Sequence, residues 1–176
     1  MKTWILIWRL NPPHIWHMRI INESFKKNDK TILLLGSSNI KDDNNPFTFD
    51  EREKYINILY ENKSLIIDQI ADFPSDEDWT IEINKILEQY INKDDELTFY
   101  GWDFENDYAI KVLKDYSNLL SFNNINFVEL SRKDITIIHN NQTIEISSTK
   151  VRETIQNKDK GLLEKLVDER IMKELL

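Results

Sequence analysis

The stretch Trp4-Ile-Leu-Ile-Trp-Arg-Leu-Asn-Pro-Pro-His-Ile-Trp-His17 decides the fold that we predict for this chain. Its first half is an apolar run, which is typical of a central strand that is covered on both faces. Pro12 and Pro13 then force the chain out of a sheet, because proline has no backbone N–H to donate. His14 and His17 follow where a helix should begin. A strand, a tight turn and a helix N-terminus with two imidazoles together form a natural place to hold a phosphate.

The composition indicates a globular chain of 176 residues, of which 40% are hydrophobic. Because the chain has no cysteine, neither a disulfide framework nor a thiolate metal site is possible. The net charge of -8 argues against general binding to a nucleic-acid backbone, which needs a basic surface. No apolar run approaches the ~18 residues of a membrane span, and a cleavable signal is lacking. We therefore expect no nucleic-acid or membrane partner and a cytoplasmic location.

Strand-like and helical segments alternate along the chain. Five strands are predicted, at 4–10, 31–35, 64–70, 96–100 and 125–130. After each of the first four, apolar residues recur at helical spacing, which predicts a helix. A hairpin at 135–146, a short helix from Ser147 and a C-terminal helix over 162–176 complete the pattern. This alternation predicts an α/β fold with a Rossmann-like, doubly wound parallel sheet in a single domain with a C-terminal helix.

The first candidate constellation is formed by Arg9, Asn11, His14 and His17. Two imidazoles three residues apart at a helix start lie on one face. Their N–H groups suit the oxygens of one phosphorus centre, helped by the helix dipole. The alternative is that each histidine is a structural or surface residue. A metal site on this pair is disfavoured because no carboxylate or third histidine lies nearby in sequence, and we predict no metal site on the protein.

The second constellation is Ile146-Ser-Ser-Thr-Lys-Val-Arg152. The hydroxyls of Ser147, Ser148 and Thr149 stand at a predicted helix start, and a lysine and Arg152 follow within one turn. Hydroxyls, basic side chains and helix N–H groups together form an anion cradle. The alternative is a well-capped amphipathic helix, since serine and threonine favour helix starts in any case.

Polar segments also fall at the ends of the predicted strands. They are Gly36-Ser-Ser38, the acidic loop Asp72–Asp78 and Gly101-Trp102-Asp103. In open parallel sheets, ligands bind at the carboxyl ends of the strands. The same edge of the sheet is therefore expected to carry the binding site.

The sequence motifs resemble those of the nucleotidyltransferase superfamily. The run from Arg9 to His17 looks like its (H/T)xGH turn, and 146–152 looks like its ISSTxxR motif. Gly36-Ser-Ser38, followed by Asn45-Pro-Phe-Thr48 and Glu51-Arg52, is similar to the GS…NPFT…ER segment of archaeal-type nicotinamide-mononucleotide adenylyltransferases. Asp72-Phe-Pro with Trp79 resembles the acidic loop that precedes a tryptophan in that family. The motifs cover roughly residues 4–156 in the family's order.

The resemblance implies that residues 1–176 form a nucleotidyltransferase domain that transfers an adenylyl group from ATP to nicotinamide mononucleotide (NMN), giving NAD and pyrophosphate. Such transfer needs positioning and charge neutralisation more than a covalent nucleophile. By this analogy His14 and His17 would hold the ATP phosphates. Arg152 would take the leaving phosphates with Ser147, Ser148 and Thr149, which are the hydroxyls of the cradle. Mg²⁺ would arrive with ATP and need few protein ligands.

The same analogy gives roles to the remaining candidates. Arg9 and Asn11 would assist at the first turn, and Gly36 would belong to the substrate site. The acceptor nucleotide would lie near Asp72 and Trp79, because an indole and a carboxylate both favour a cationic pyridinium ring. Trp102 is a similar candidate for contact with the acceptor nucleotide. For both Trp79 and Trp102, the alternative is packing in the core. Arg52 is expected either to order its loop or to contact substrate. The resemblance also suggests that the protein forms a homo-oligomer.

Trp8 and Trp16 stand where the family usually has glycine. Two indoles at these positions would block ATP, reshape its pocket or turn outward harmlessly. They keep one alternative function open, a non-catalytic relative that binds a nucleotide or acts through partners. A second alternative is a transferase with another acceptor, of the cytidylyl or phosphopantetheine type. Retention of both histidines and Arg152 favours an enzyme.

Overall fold

Five parallel strands form the central sheet of the structure, a computed structural model that describes residues 1–61, 64–130 and 135–176. The strands stand in the order β3-β2-β1-β4-β5. They are β1 (Lys2–Trp8), β2 (Lys30–Leu35), β3 (Leu65–Gln69), β4 (Glu96–Trp102) and β5 (Asn124–Leu130). The order reverses at β1, which pairs with β2 on one side and β4 on the other. The predicted α/β class with a Rossmann-like, doubly wound parallel sheet is therefore confirmed.

The chain divides into two compact units. Among the described residues, a sheet unit comprises 1–8, 24–40 and 64–130, and a helical unit comprises 9–23, 41–61 and 135–176. The assignment of residues 1–176 to one nucleotidyltransferase domain stays a prediction.

The helices begin where the sequence offers a side-chain cap. Thr48, Ser75, Asp107 and Ser147 each accept a backbone N–H from the first turn of the helix that follows. Thr48 also forms a capping box with Glu51. The helices are α1 (Ile15–Lys27), α2 (Phe49–Tyr60), α3 (Asp76–Glu88), α4 (Tyr108–Asp115), α5 (Ser148–Gln156), α6 (Lys160–Leu166) and α7 (Glu169–Leu175).

The core of the sheet unit lies along the central strands. Ile5, Ile32, Leu34 and Phe99 are fully buried there, together with apolar residues of α3 and α4. This continuous apolarity is what the uninterrupted hydrophobic runs predict for strands that are buried on both faces. In the part of the chain that the structure describes, no helix is both long and apolar enough to cross a lipid bilayer.

The first strand is shorter at its end than the sequence predicts. β1 stops at Trp8, whereas the pattern predicts a strand over 4–10. Leu10 has a φ of 48°, in the left-handed region, so the extended backbone cannot continue through it. Arg9 and Leu10 therefore already belong to the turn that leads into α1.

The helical unit packs α2 against α7, α5 against α6, and α6 against α7. β6 (Thr136–His139) and β7 (Gln142–Glu145) form the predicted hairpin. Its two turn residues, Asn140 and Asn141, both have positive φ, as a tight hairpin turn requires.

The C-terminal helix predicted over 162–176 is two helices, which is a correction to the expected single one. Val167 adopts an extended conformation between α6 and α7. The carboxylate of Asp168 then accepts the N–H of Arg170 and begins a new helix, because a side-chain acceptor competes with the helical carbonyl for that N–H. Leu163 and Leu166 of α6 and Ile171 of α7 are nonetheless buried.

Candidate active site

The turn after β1 holds two stacked imidazoles. The rings of His14 and His17 have centroids 3.7 Å apart and an interplanar angle of 23°. Both residues are buried, and the backbone N–H of His14 donates to Nδ1 of His17 at 3.3 Å. Because Nδ1 of His17 is the acceptor, the proton of the neutral ring sits on Nε2. The pair predicted from its spacing is therefore a preorganised one, with the tautomer of His17 set by the backbone.

Four side chains fix the backbone of this turn. Arg52 donates from Nη1 to the carbonyl of Arg9 at 2.5 Å. The side-chain amide of Asn11 makes two bonds to the backbone of Phe47, at 3.0 Å to its N–H and 3.4 Å to its carbonyl. The other two anchors come from α5.

The second predicted motif is docked on the first. Ser148 donates from Oγ to the carbonyl of Pro12 at 2.9 Å, and Arg152 donates from Nη1 to the carbonyl of Asn11 at 2.7 Å. Arg152 also donates from Nη2 to Oγ1 of Thr149 at 3.1 Å. Ser147 accepts the N–H of Lys150 as the N-cap of α5. Two segments that are far apart in sequence thus meet in the helical unit.

This junction concentrates positive charge. The pKa of the Arg152 guanidinium is lowered by burial and further by the charge of Arg9, although Asp42 and Glu153 act in the opposite direction. The pKa of Arg52 is lowered by burial and again by Arg9. The guanidinium groups of Arg9 and Arg152 near this turn favour a bound anion.

The other predicted site residues lie in the sheet unit. Asp72 accepts from Oγ of Ser37 at 3.0 Å, and its backbone bonds to the side chain of Asn39. Trp79 is half-buried on α3 and packs against the hydrophobic core, as the packing alternative predicts. Gly36 donates its N–H to the carbonyl of Trp8 at 3.0 Å.

Trp8 and Trp16 are both buried, so neither indole turns outward. Trp8 stacks on Trp102 at the carboxyl ends of the paired strands β1 and β4, with ring centroids 5.6 Å apart. Trp16 meets the ring of His17 edge-on at 5.8 Å. The two indoles therefore occupy space directly beside predicted site residues.

Two residues at this site were not singled out as site residues by sequence reasoning. Arg52 is completely buried, and the sequence left its role open between loop ordering and substrate contact. Its bonds to the carbonyls of Arg9 and Thr48 show that it orders the loop and the turn. Asp42 stands in a polar run, Asp-Asp-Asn-Asn, that reads only as a solvated loop. No local signal distinguishes it from Asp43.

A cleft of about 720 Å³ lies elsewhere in the sheet unit, at the amino ends of β1, β4 and β5. Its lining includes Lys2, Asp29, Asp94 and Glu96 but none of the predicted site residues. In doubly wound sheets ligands bind at the opposite, carboxyl ends of the strands. Among the described residues, no group of three or more histidine, aspartate or glutamate side chains is arranged to hold a metal ion.

Comparison with known proteins identifies relatives in fold. The family model described as cytidylyltransferase-like matches residues 9–154, whereas no curated protein matches the sequence. The chain resembles the solved structure of a bifunctional NMN adenylyltransferase/ADP ribose pyrophosphatase from Francisella tularensis, complexed with AMP and a manganese ion. The TM-score is 0.66 with 18% identity, over 89% of this chain and 42% of that one.

Two further structures are similar. The NadR protein in complex with NR gives a TM-score of 0.71 with 17% identity, over 97% of this chain and 43% of that one. Plasmodium falciparum nicotinic acid mononucleotide adenylyltransferase, complexed with APC, gives 0.61 with 14% identity, over 99% and 96%. The chain thus spans less than half the length of the Francisella and NadR chains. At these identities the likeness shows the fold alone.

Proposed function

The chain belongs to the cytidylyltransferase-like family, and from this premise we propose that it transfers the adenylyl group of ATP to NMN, giving NAD and pyrophosphate. Membership confirms the nucleotidyltransferase superfamily predicted from the motifs. The observation that carries the proposal is the docking of α5 on the turn after β1, through Arg152 and Ser148. It brings together in one unit the two motifs that we propose to bind phosphate, as such a transferase requires.

The proposed reaction is an in-line displacement at phosphorus. An oxygen of the 5′-phosphate of NMN forms a bond to the α-phosphorus of ATP, and the bond from that phosphorus to the bridging oxygen of the β-phosphate breaks. Pyrophosphate carries away the electron pair. No covalent enzyme intermediate is needed, so the protein contributes positioning and charge stabilisation.

His14, His17 and Arg152 are the proposed catalytic residues. The imidazole of His17 has its proton on Nε2, where it would donate to a phosphate oxygen as charge develops in the transition state. Arg152, with the hydroxyls of Ser147, Ser148 and Thr149, would neutralise the leaving pyrophosphate. Asn11 acts through its bonds to Phe47, which hold the turn.

Mg²⁺ would enter as part of the ATP substrate. Its chemistry is to bridge phosphate oxygens and neutralise their charge. The arginines and histidines of the helical unit suit phosphate oxygens rather than the cation, and the described residues form no dedicated metal cluster. The structure of the Francisella relative with AMP and a manganese ion supports a divalent cation at such a site.

The acceptor is proposed to contact the sheet unit through Gly36, Asp72, Trp79 and Trp102. Asp72 provides a carboxylate after the end of β3, and Trp102 presents a partly exposed indole that stacks on Trp8. An indole and a carboxylate both favour a pyridinium cation. Related folds that are named as NMN and nicotinic acid mononucleotide adenylyltransferases support a pyridine nucleotide.

The burial of Trp8 and Trp16 favours a second candidate function, a non-catalytic nucleotide-binding protein of the same fold. Two indoles fill space where the family usually has glycine, and one of them touches His17. In this alternative the charged residues would retain a nucleotide without transferring its adenylyl group.

One assay tests the proposal. The protein is incubated with ATP, Mg²⁺ and NMN, and NAD and pyrophosphate are quantified by chromatography and a coupled enzyme assay. Parallel reactions replace NMN by nicotinate mononucleotide or phosphopantetheine, and others replace ATP by CTP with a phosphorylated alcohol as the acceptor. Nucleotide binding is measured by calorimetry. NAD formed with equal pyrophosphate supports the proposal. Bound ATP without any product would overturn it in favour of the binding protein, and product with another acceptor alone would overturn the choice of NMN.

A further inference from the structure

The loop between β2 and α2 carries an oxygen-rich pair beside the arginines of the candidate site. Oδ1 of Asp42 accepts three N–H groups, from the backbone of Asn44 and Asn45 at 2.8 Å each and from Nδ2 of Asn45 at 3.0 Å. All three bonds end on the same oxygen of the carboxylate. Within the residues that the structure describes, no hydrogen bond ends on Oδ2 of Asp42.

Asn45 supplies a second oxygen at the same place. The residue is only 4% exposed, and Oδ1 of its side chain accepts no hydrogen bond from the described part of the chain. A buried polar atom in this state needs a water or an ion as its partner. The oxygen lies within about 5.3 Å of Oδ1 of Asp42, because Nδ2 of the same amide bonds to that atom at 3.0 Å and the two heteroatoms of an amide are about 2.3 Å apart.

Asp42 also interacts electrostatically with the arginines that are proposed to bind phosphate. The pKa of Asp42 is lowered chiefly by the backbone hydrogen bond from Asn45, and the charge of Arg9 lowers it further. Asp42 in turn opposes the lowering of the pKa of Arg152. The carboxylate is therefore ionised and lies within electrostatic reach of both arginines, which are expected to hold the nucleotide phosphates.

We propose that Oδ2 of Asp42 and Oδ1 of Asn45 are the protein ligands of the divalent cation that accompanies the nucleotide. The inference rests on the proposed function, since the cation arrives with ATP. Mg²⁺ prefers oxygen ligands and is usually bound by one or two protein groups together with substrate phosphates and water. A carboxylate and an amide oxygen beside a phosphate site match that donor set. The proposal also gives a role to an acidic residue that interacts electrostatically with two arginines expected to bind phosphate.

Electron paramagnetic resonance with Mn²⁺ as the probe tests this inference without turnover. Free Mn²⁺ is titrated against wild-type protein saturated with an ATP analogue that has a methylene group between the α- and β-phosphorus atoms. Asp42→Asn keeps the oxygen that orders the loop and removes the free carboxylate oxygen. Asp43→Asn makes the same change of charge at the adjacent exposed residue and is the matched control.

We expect Asp42→Asn to raise the Kd of Mn²⁺ in the ternary complex by about 10-fold or more, and Asp43→Asn to change it less than about 2-fold. In EDTA, Asp42→Asn is expected to bind the metal-free analogue at least as tightly as wild type, because a negative charge near the phosphates is gone. Asn45→Asp, a second variant in case the first fails to fold, should tighten Mn²⁺ binding by adding a carboxylate to the pair.

The outcomes separate the inference from the proposed function. An unchanged Kd of Mn²⁺ in Asp42→Asn overturns the cation site while leaving the transferase reading intact. If Asp42→Asn loses analogue binding equally with and without metal, Asp42 only shapes the loop, and the cation site is also overturned. Failure of wild-type protein to bind the analogue at all would instead refute the proposed function, and the cation site with it.

Discussion

Replacing Arg52 by methionine is expected to loosen the turn on which the candidate site is built. Arg52 is completely buried, and its guanidinium donates from Nη1 to the carbonyl of Arg9 and from Nε to the carbonyl of Thr48 at 3.2 Å. Methionine fills a similar volume and has no donor. The variant therefore removes these two hydrogen bonds with little change in packing, and it leaves the carbonyls of Arg9 and Thr48 without these donors.

The magnitude follows from those bonds. A hydrogen bond to a charged group contributes about 1.5–3 kcal/mol to stability. The loss of these two hydrogen bonds is offset in part, because the variant no longer has to bury a charged group. The lowered pKa of Arg52 reflects this cost of burial. We expect a net loss of about 2–4 kcal/mol in the free energy of unfolding. With a slope of about 2 kcal/mol per molar urea, the unfolding midpoint should fall by about 1–2 M.

Urea unfolding followed by circular dichroism measures this shift. Arg19→Met is the matched control, because Arg19 lies exposed on α1, and its free energy of unfolding should stay within about 0.5 kcal/mol of wild type. Arg52→Lys keeps a positive charge but can donate to only one of the two carbonyls. Its unfolding midpoint should therefore lie between those of Arg52→Met and Arg19→Met. In its folded state, Arg52→Met should also raise the KM for ATP, since the turn carrying Arg9 is less well held.

A midpoint for Arg52→Met equal to that of Arg19→Met would refute the reasoning. It would mean that the cost of burying the guanidinium cancels both hydrogen bonds, so that Arg52 does not stabilise the turn. A fall in stability with an unchanged KM for ATP would refute the narrower claim that Arg52 positions the site.

Three other predictions concern single side chains. His17→Ala and Arg152→Ala should each lower the rate of NAD formation by ~10²-fold or more, because each removes a donor to the transition state; a near-wild-type rate for either variant contradicts its proposed role. Gly101→Ala should cost about 1–3 kcal/mol by thermal unfolding, because a Cβ there would overlap side chains of the following helix, whereas Gly36→Ala meets no atom within 4 Å and should be nearly neutral; equal melting temperatures would disprove this steric argument. The pKa of Glu51 is lowered chiefly by the N–H that it accepts from the N-cap backbone of Thr48. The ionised carboxylate therefore stabilises the folded protein above roughly pH 4.3, and this stabilisation is lost as the pH falls through the lowered pKa of the folded state. Glu51→Gln should therefore lose stability less steeply than wild type between about pH 5 and pH 3, and parallel curves would count against this assignment.

The local pattern of the chain determined most of its secondary structure. Apolar runs predicted all five strands, and the hydroxyls of Ser147, Ser148 and Thr149 predicted the start of α5. The turn at Asn140-Asn141 predicted the hairpin. These features follow from hydrogen bonds and side-chain periodicity within a few residues of each other, which a sequence displays directly.

The C-terminal region shows where local pattern stops being decisive. The apolar spacing continues through residues 162–176, and its predicted inward positions are indeed buried. The backbone nevertheless breaks at Val167, because the carboxylate of Asp168 captures the N–H and the guanidinium of Arg170. Helical periodicity and a competing cap coexist in the same residues, and periodicity alone does not decide between them.

The opening stretch from Trp4 to His17 by itself determined a strand, a turn and a helix start carrying two histidines. Only the tertiary structure decided that Arg152 donates to Asn11, 141 positions earlier, and that Arg52 is buried beneath the same turn. It also decided that Trp8 and Trp16 point into the protein. A sequence displays which groups can donate, accept or avoid water, but which distant partner each one meets depends on how the whole chain packs.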